Sequence, residues 1–250
     1  MDKNKLFVIP KPIKNPKIRL FCFTFAGGTV TPFTSWPHLL SEKVEVVIIQ
    51  FPGRGSRIKE KPHTTMASMM AELDLHADFI TELPYILFGH SFGSRVAFAL
   101  CCSFKAKGRK LPNYLVASAS RAAYLPINGK AIDRYSDRDF IANIVGIKNV
   151  PKEVLSNAEL MELVLPVLRA DFSIAGTFVA DEIKMPFPIL ALYGKEDKGV
   201  TDEGVNKWAD LTSIGFKKAE IPGGHFFINQ YRENVLAQLE NIIDACTLIK

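Results

Sequence analysis

Hydrophobic residues in this chain come in short, nearly unbroken runs set between polar and glycine-rich stretches. The runs around Leu20-Phe21-Cys22-Phe23, Val46-Val47-Ile48-Ile49, Ile86-Leu87-Phe88, Leu115-Val116-Ala117 and Leu190-Ala191-Leu192 are too short for buried helices. They predict strands over 18–25, 44–51, 85–88, 114–118 and 189–193, with a further one over 216–221. Between them the period changes to that of a helix. Met66, Met69, Met70, Leu73, Ala77 and Ile80 form one apolar stripe behind a capping threonine, Thr64 or Thr65. Further helices are predicted near 33–40, over 91–107 and over 230–245. Continuous apolar strands alternating with helices imply an α/β fold, with a mostly parallel sheet covered on both faces.

Residues 124–186 break that rhythm with helical patterns at 137–145 and from Asn157 to about Phe178. The second carries Leu160, Met161, Leu163, Val164, Leu165, Val167, Leu168 and Phe172, more apolar residues than one helix face can hold. Such a helix must bury two sides. The insertion reads as a helical lid subdomain of a single 1–250 domain, one side on the core and one toward an acyl channel. An ordinary helical insertion without gating is the alternative. Pro166 would start or kink a helix there.

Gly89-His90-Ser91-Phe92-Gly93 sits between a predicted strand and a predicted helix. A serine between two glycines at such a turn resembles the nucleophile elbow of α/β-hydrolases. The strained turn lifts the hydroxyl above the sheet, and the residues two before and two after must be small for the turn to close. Two partners follow in the order that fold uses. Asp197 lies in the turn after the 189–193 strand, and His225 in the Gly223-Gly224-His225-Phe226 loop after the 216–221 strand. His225 would take the serine proton, and Asp197 would fix the imidazole and stabilise its charged form. Glu196 is a rival for the acid. Among the histidines, His38 and His76 fall in predicted helices, His63 lies in a charged loop, and His90 adjoins the serine and shapes the elbow instead.

Two loops complete the expected site. Phe25-Ala26-Gly27-Gly28 follows the first strong strand, where glycines free the backbone to aim N–H groups. The N–H of Ala26, with Gly27 as rival, and that of Phe92 would form an oxyanion hole. Arg54 and Arg57, after the second strand, could hold a phosphate or carboxylate, or serve a structural ion pair.

Composition narrows the class without deciding the chemistry. The chain has 250 residues, 48% hydrophobic and 23% charged, which excludes a disordered or fibrous protein. Its net charge of +5 is dispersed, apart from the clusters Lys11-Lys14-Lys17-Arg19 and Lys105-Lys107-Arg109-Lys110. No nucleic-acid-binding motif accompanies them, though an acidic partner would suit them. The four cysteines, Cys22, Cys101, Cys102 and Cys246, lack metal-ligand spacing and read as reduced thiols in a cytoplasmic protein. No metal is expected. The Leu6–Ile9 run ends at Pro10 and is too short for a signal-peptide core, and no run approaches the ~18 apolar residues of a membrane span.

Taken in order, six segments resemble type II thioesterases, the stand-alone editing hydrolases of non-ribosomal peptide and polyketide synthesis. They are Phe25-Ala26-Gly27-Gly28, Gln50-Phe51-Pro52-Gly53-Arg54, the elbow at 89–93, Leu165-Pro166-Val167-Leu168-Arg169-Ala170-Asp171-Phe172, Tyr193-Gly194-Lys195-Glu196-Asp197 and Gly223-Gly224-His225-Phe226-Phe227. Thr24-Phe25 departs from the proline and histidine or tyrosine common there. The resemblance implies an α/β-hydrolase that removes stalled acyl groups from the phosphopantetheine arm of acyl or peptidyl carrier proteins. It implies no resident cofactor, since phosphopantetheine arrives with the carrier. A monomer is the default. A small-molecule carboxylesterase or a fatty-acid chain-terminating thioesterase shares the triad and is the alternative.

Overall fold

The computed structural model describes residues 5–127, 135–146 and 158–248. The strands are β1 (Phe7–Val8), β2 (Ile18–Phe23), β3 (Val44–Ile49), β4 (Tyr85–His90), β5 (Tyr114–Ser118), β6 (Ile189–Gly194) and β7 (Phe216–Ile221). They form one sheet in the order β1-β3-β2-β4-β5-β6-β7. All neighbours are parallel except β1, which pairs antiparallel with β3 through Phe7↔Ile49 and Val8↔Ile48. Strands β2, β3 and β4 are buried along their whole length, as their near-continuous apolar sequences require. The edge strand β7, with Lys217, Lys218 and Glu220 exposed, covers itself with charge instead.

The helices are α1 (Met66–Asp74), α2 (Ala77–Thr81), α3 (Phe92–Ala106), α4 (Asp137–Gly146), α5 (Ala158–Thr177), α6 (Asp202–Asn206), α7 (Phe227–Gln230) and α8 (Arg232–Leu248). One core lies on the face packed by α1 and α3, where Met69, Leu73, Val96, Phe98 and Phe104 meet Phe21, Leu87 and Leu115. The other lies under α8, where Val235, Leu239 and Ile243 meet Leu20, Ile48, Phe88 and Leu192. Side chains alternate between these two cores along each strand, the period-2 geometry of a sheet covered on both faces.

Several predicted elements change at their ends. The helix expected near 33–40 is two short 3₁₀ turns, Thr31–Phe33 and Trp36–His38, each with a proline in its first turn. The stripe from Met66 to Ile80 is divided into α1 and α2 at Leu75–His76, yet all six of its residues are buried. Packing selects those residues, so the stripe survives a break in the helix that carries it. Thr65 is the cap, accepting a hydrogen bond from the Ser68 N–H. The closing helix begins as the single turn α7 before α8.

The insertion between β5 and β6 contributes α4 and α5, and the expected start of the second helix at Asn157 lies outside the described residues. Helix α5 runs through Pro166 and packs on two sides, one on the core and one on α4. Ile174 and Ala175 join the α3-side core, while Leu168, Val164 and Phe172 pack with Phe140 of α4. Leu160 and Leu163 at its start are exposed. The neck is closed by the Ala180 N–H donating to the Ala123 carbonyl and by buried Arg95 of α3, which donates to the carbonyls of Leu125 and Phe178.

Candidate active site

The site assembles where the sheet ends in loops. Ser91 joins β4 to α3 with φ 55° and ψ −116°, a conformation costly for any residue but glycine. The flanking glycines make it feasible. A Cβ on Gly89 would stand 2.3 Å from the Gly93 carbonyl oxygen, and one on Gly93 would stand 2.2 Å from the Phe23 carbonyl oxygen. The turn is then pinned from below. The Ser91 N–H donates to the Ser118 carbonyl at 2.7 Å, and the Ser94 hydroxyl donates to the carbonyls of Gly89 at 2.7 Å and Ser118 at 3.0 Å.

Ser91 Oγ lies 2.8 Å from His225 Nε2, and His225 Nδ1 lies 2.6 Å from Asp197 Oδ2. A carboxylate only accepts, so Nδ1 carries the proton and Nε2 is left to accept from the serine hydroxyl. Asp197 keeps its second oxygen occupied by the Gly199 N–H at 2.9 Å. Its side chain is 4% exposed against 25% for His225. Burial alone would raise its pKa, but the hydrogen bond and charge of His225 hold it below the ordinary carboxylate value. Glu196, the rival acid, is exposed.

His90 is fully buried next to this constellation. Its Nε2 lies 2.9 Å from the His225 carbonyl oxygen and its Nδ1 lies 2.9 Å from Ser118 Oγ. A carbonyl only accepts, so His90 is the Nε2–H tautomer and takes the Ser118 proton at Nδ1. Burial, reinforced by His225, lowers its pKa to about 3, so the ring stays neutral. It ties the elbow to the loop that presents His225, as its place beside the serine led one to expect. The ring of Phe25 meets it edge-on and that of Phe226 at a tilt, so the unusual Phe25 has a packing role.

Ala26 lies in the loop after β2, and the rival Gly27 has its N–H committed elsewhere. The Gly27 N–H donates to Asp171 Oδ2 at 2.7 Å. Phe92 is the first residue of α3, where a backbone N–H has no partner inside the helix.

Of the two readings of Arg54 and Arg57, the structure shows the ion pairs. Arg54 is buried and gives both terminal nitrogens to Asp171, each at 2.9 Å. Arg57 pairs with Glu60 and Glu72, both at 2.7 Å, and donates to the Gln50 carbonyl at 3.1 Å. Guanidinium groups so engaged serve ion pairs. The basic clusters are likewise partly spent. Arg19 is buried against Glu45 and Glu82, Lys107 and Arg109 pair with Asp74, and Lys105 donates to the Lys184 carbonyl, whereas Lys14 and Lys17 are exposed. The Asp171 partnership had no local signal, because Arg54 and Asp171 are 117 positions apart. Among the described residues no cluster of side chains could hold a metal ion, and no helix is long and apolar enough to cross a membrane.

A serine–histidine–aspartate relay over a parallel sheet occurs in many hydrolases, so the relay alone does not fix the substrate class. A family model described as the thioesterase domain matches residues 18–246, nearly the whole chain. The chain belongs to the thioesterase family. Among curated relatives, this thioesterase is 32% identical to the gramicidin S biosynthesis protein GrsT of Aneurinibacillus migulanus, over 93% of this chain and 91% of GrsT. Among solved structures, it superposes on the type II thioesterase BorB of the borrelidin biosynthetic cluster with a TM-score of 0.85 at 28% identity. That match covers 95% of this thioesterase and 97% of BorB. RedJ, a thioesterase of the prodiginine pathway in Streptomyces coelicolor, gives a TM-score of 0.83 at 31% identity, covering 92% and 94% of the two chains. The fold is therefore the α/β-hydrolase type expected, and the protein is a hydrolase of thioesters.

Proposed function

We propose that this thioesterase releases acyl groups from the phosphopantetheine arm of acyl or peptidyl carrier proteins, acting as an editing enzyme of a modular synthase. The observation that carries the mechanism is the unbroken relay Ser91–His225–Asp197 at 2.8 and 2.6 Å. Ser91 Oγ attacks the thioester carbonyl while His225 Nε2 takes its proton. The oxyanion so formed is met by the N–H groups of Ala26 and Phe92. Collapse breaks the C–S bond, and His225 returns the proton to the departing thiolate, freeing the holo-carrier. A water then attacks the acyl-Ser91 ester with His225 as base, giving the free acid and restoring the serine. Thiolates leave more readily than alkoxides, so this site needs little help from the general acid.

The likeness to GrsT, a gramicidin S biosynthesis protein, and to BorB, a type II thioesterase of the borrelidin biosynthetic cluster, supports the carrier-bound substrate. The chemistry requires no resident cofactor, since the phosphopantetheine comes on the partner. In this reading the enzyme is a cytoplasmic monomer with a carrier protein, not nucleic acid or membrane, as partner. The 124–186 insertion serves as its lid, a role supported by Leu168 of α5 pressing against Gly27 beside the oxyanion donor.

The test is hydrolysis of acetyl- and longer acyl-phosphopantetheinyl carrier proteins, read by intact-protein mass, for the wild type and Ser91→Ala. Free holo-carrier from the wild type alone supports the reading. A wild type that cleaves p-nitrophenyl esters but no carrier-bound thioester would overturn it.

A further inference from the structure

Gly27 is the hinge of the oxyanion loop. Its φ of +69° belongs to the left-handed region, and a Cβ there would stand 2.2 Å from Leu168 Cδ2. Its N–H points away from the site and donates to Asp171 Oδ2 at 2.7 Å. Leu168 and Asp171 are three apart on α5, so a single turn of the insertion helix holds this residue by contact and by hydrogen bond. Asp171 is buried to 1% exposure, and a lone carboxylate there would be strongly disfavoured. Arg54, from the loop after β3, satisfies it with both terminal nitrogens and also lies 3.4 Å from the Gly28 carbonyl oxygen. Helix α5 and the loop after β3 thus converge on the two glycines next to Ala26.

A peptide group is planar, so fixing the Gly27 N–H fixes the orientation of the whole Ala26–Gly27 peptide. The ψ and φ of the single residue Ala26 then stand between that anchored plane and the Ala26 N–H. We propose that Asp171 is a positioning residue for catalysis: it sets the aim of the Ala26 oxyanion donor through the Gly27 N–H, with Arg54 pairing with and orienting its carboxylate. Seating of α5 and formation of the oxyanion hole are consequently one event. The inference rests on the proposed role of Ala26 and adds to it the group that holds that donor in place.

A purely structural ion pair makes a different prediction, which a double replacement separates. Arg54→Met and Asp171→Leu each strand one buried charge and lower the melting temperature. The Arg54→Met/Asp171→Leu protein strands none and regains most of the stability. With octanoyl-N-acetylcysteamine thioester as substrate, the double variant is expected to keep KM within about twofold while kcat stays down about 10- to 100-fold. That is the range for a misaimed or missing oxyanion donor. Affinity for an alkyl trifluoromethyl ketone, which forms a tetrahedral oxyanion on Ser91, should fall by the same factor. A double variant that recovers both stability and wild-type kcat overturns the proposal. Should the double variant fail to fold, Asp171→Ala, which leaves no acceptor for the Gly27 N–H, decides in its place: a folded protein with kcat at least tenfold down and KM unchanged supports the role, and undiminished kcat refutes it. A wild type active on the thioester beside an inactive Ser91→Ala shows that any such refutation touches Asp171 alone and not the thioesterase reading.

Discussion

Acid should destabilise this protein through His90 before its carboxylates begin to titrate. The ring is wholly buried, hydrogen-bonded as a neutral tautomer, and its pKa is lowered to about 3 by burial. In the unfolded chain a histidine titrates near 6.5. Below about pH 6.5 the unfolded state therefore binds a proton that the native state refuses, so stability falls as pH falls, down to the folded pKa. Between pH 7 and pH 5 one such histidine removes about 2 kcal/mol. In a chain of this size that is a drop of about 4–8 °C in melting temperature. The carboxylates whose pKa values are lowered in the fold, Glu60, Glu72, Asp74, Asp197, Asp202 and Asp210, respond chiefly below their unfolded values near 4, so this window belongs mainly to histidine. The comparison is urea unfolding at pH 7, 6 and 5 for the wild type and for His90→Gln, whose side-chain amide can still donate to the His225 carbonyl. His90→Gln lowers stability at every pH, and the informative quantity is the slope. It should flatten by about 1 kcal/mol per pH unit below pH 6. An identical slope in the two proteins refutes the reasoning, because it would mean that His90 is protonated in the fold or does not control unfolding.

Two further predictions concern the site. Asp197→Asn should leave the fold intact and lower kcat by about 10⁴-fold, because an asparagine that donates to Nδ1 forces the wrong imidazole tautomer; steady-state hydrolysis of a soluble thioester checks this, and a loss under tenfold would move the acid's role elsewhere. Gly93→Ala drives a Cβ to 2.2 Å from the Phe23 carbonyl oxygen, a backbone atom of β2 that cannot turn aside. It should yield a protein inactive toward thioesters and with a lower melting temperature, whereas Gly108→Ala, with open space around the site but φ +63°, should cost only modest stability and no activity. Circular dichroism melting with the same activity assay distinguishes them.

Much of the site was legible because its geometry is local. The Gly89-x-Ser91-x-Gly93 spacing is a steric statement about five consecutive residues, and the clashes at Gly89 and Gly93 reproduce it in space. Asp197 and His225 could be ranked over other acids and histidines because parallel strands deliver their C-terminal loops to one edge. The strand edges were less legible: β2 and β3 stop two residues before the apolar runs end, where Phe25 and Phe51 turn into loops. Strand β1 went unpredicted because two residues carry no period. It exists only because β3 offers a free edge to pair with.

Sequence alone determined the alternation of strand and helix, the elbow and the order of the relay, since each depends on neighbours within a few positions or on the single rule that parallel strands share a direction. The tertiary structure decided what the long polar side chains do. Nothing near Arg54 in the chain signals that its guanidinium will be spent on Asp171, nor that this carboxylate will reach the Gly27 N–H. A charged side chain several bonds long takes whatever counter-charge folding brings within about 3 Å, and when the partner is far along the chain only the packed arrangement specifies it.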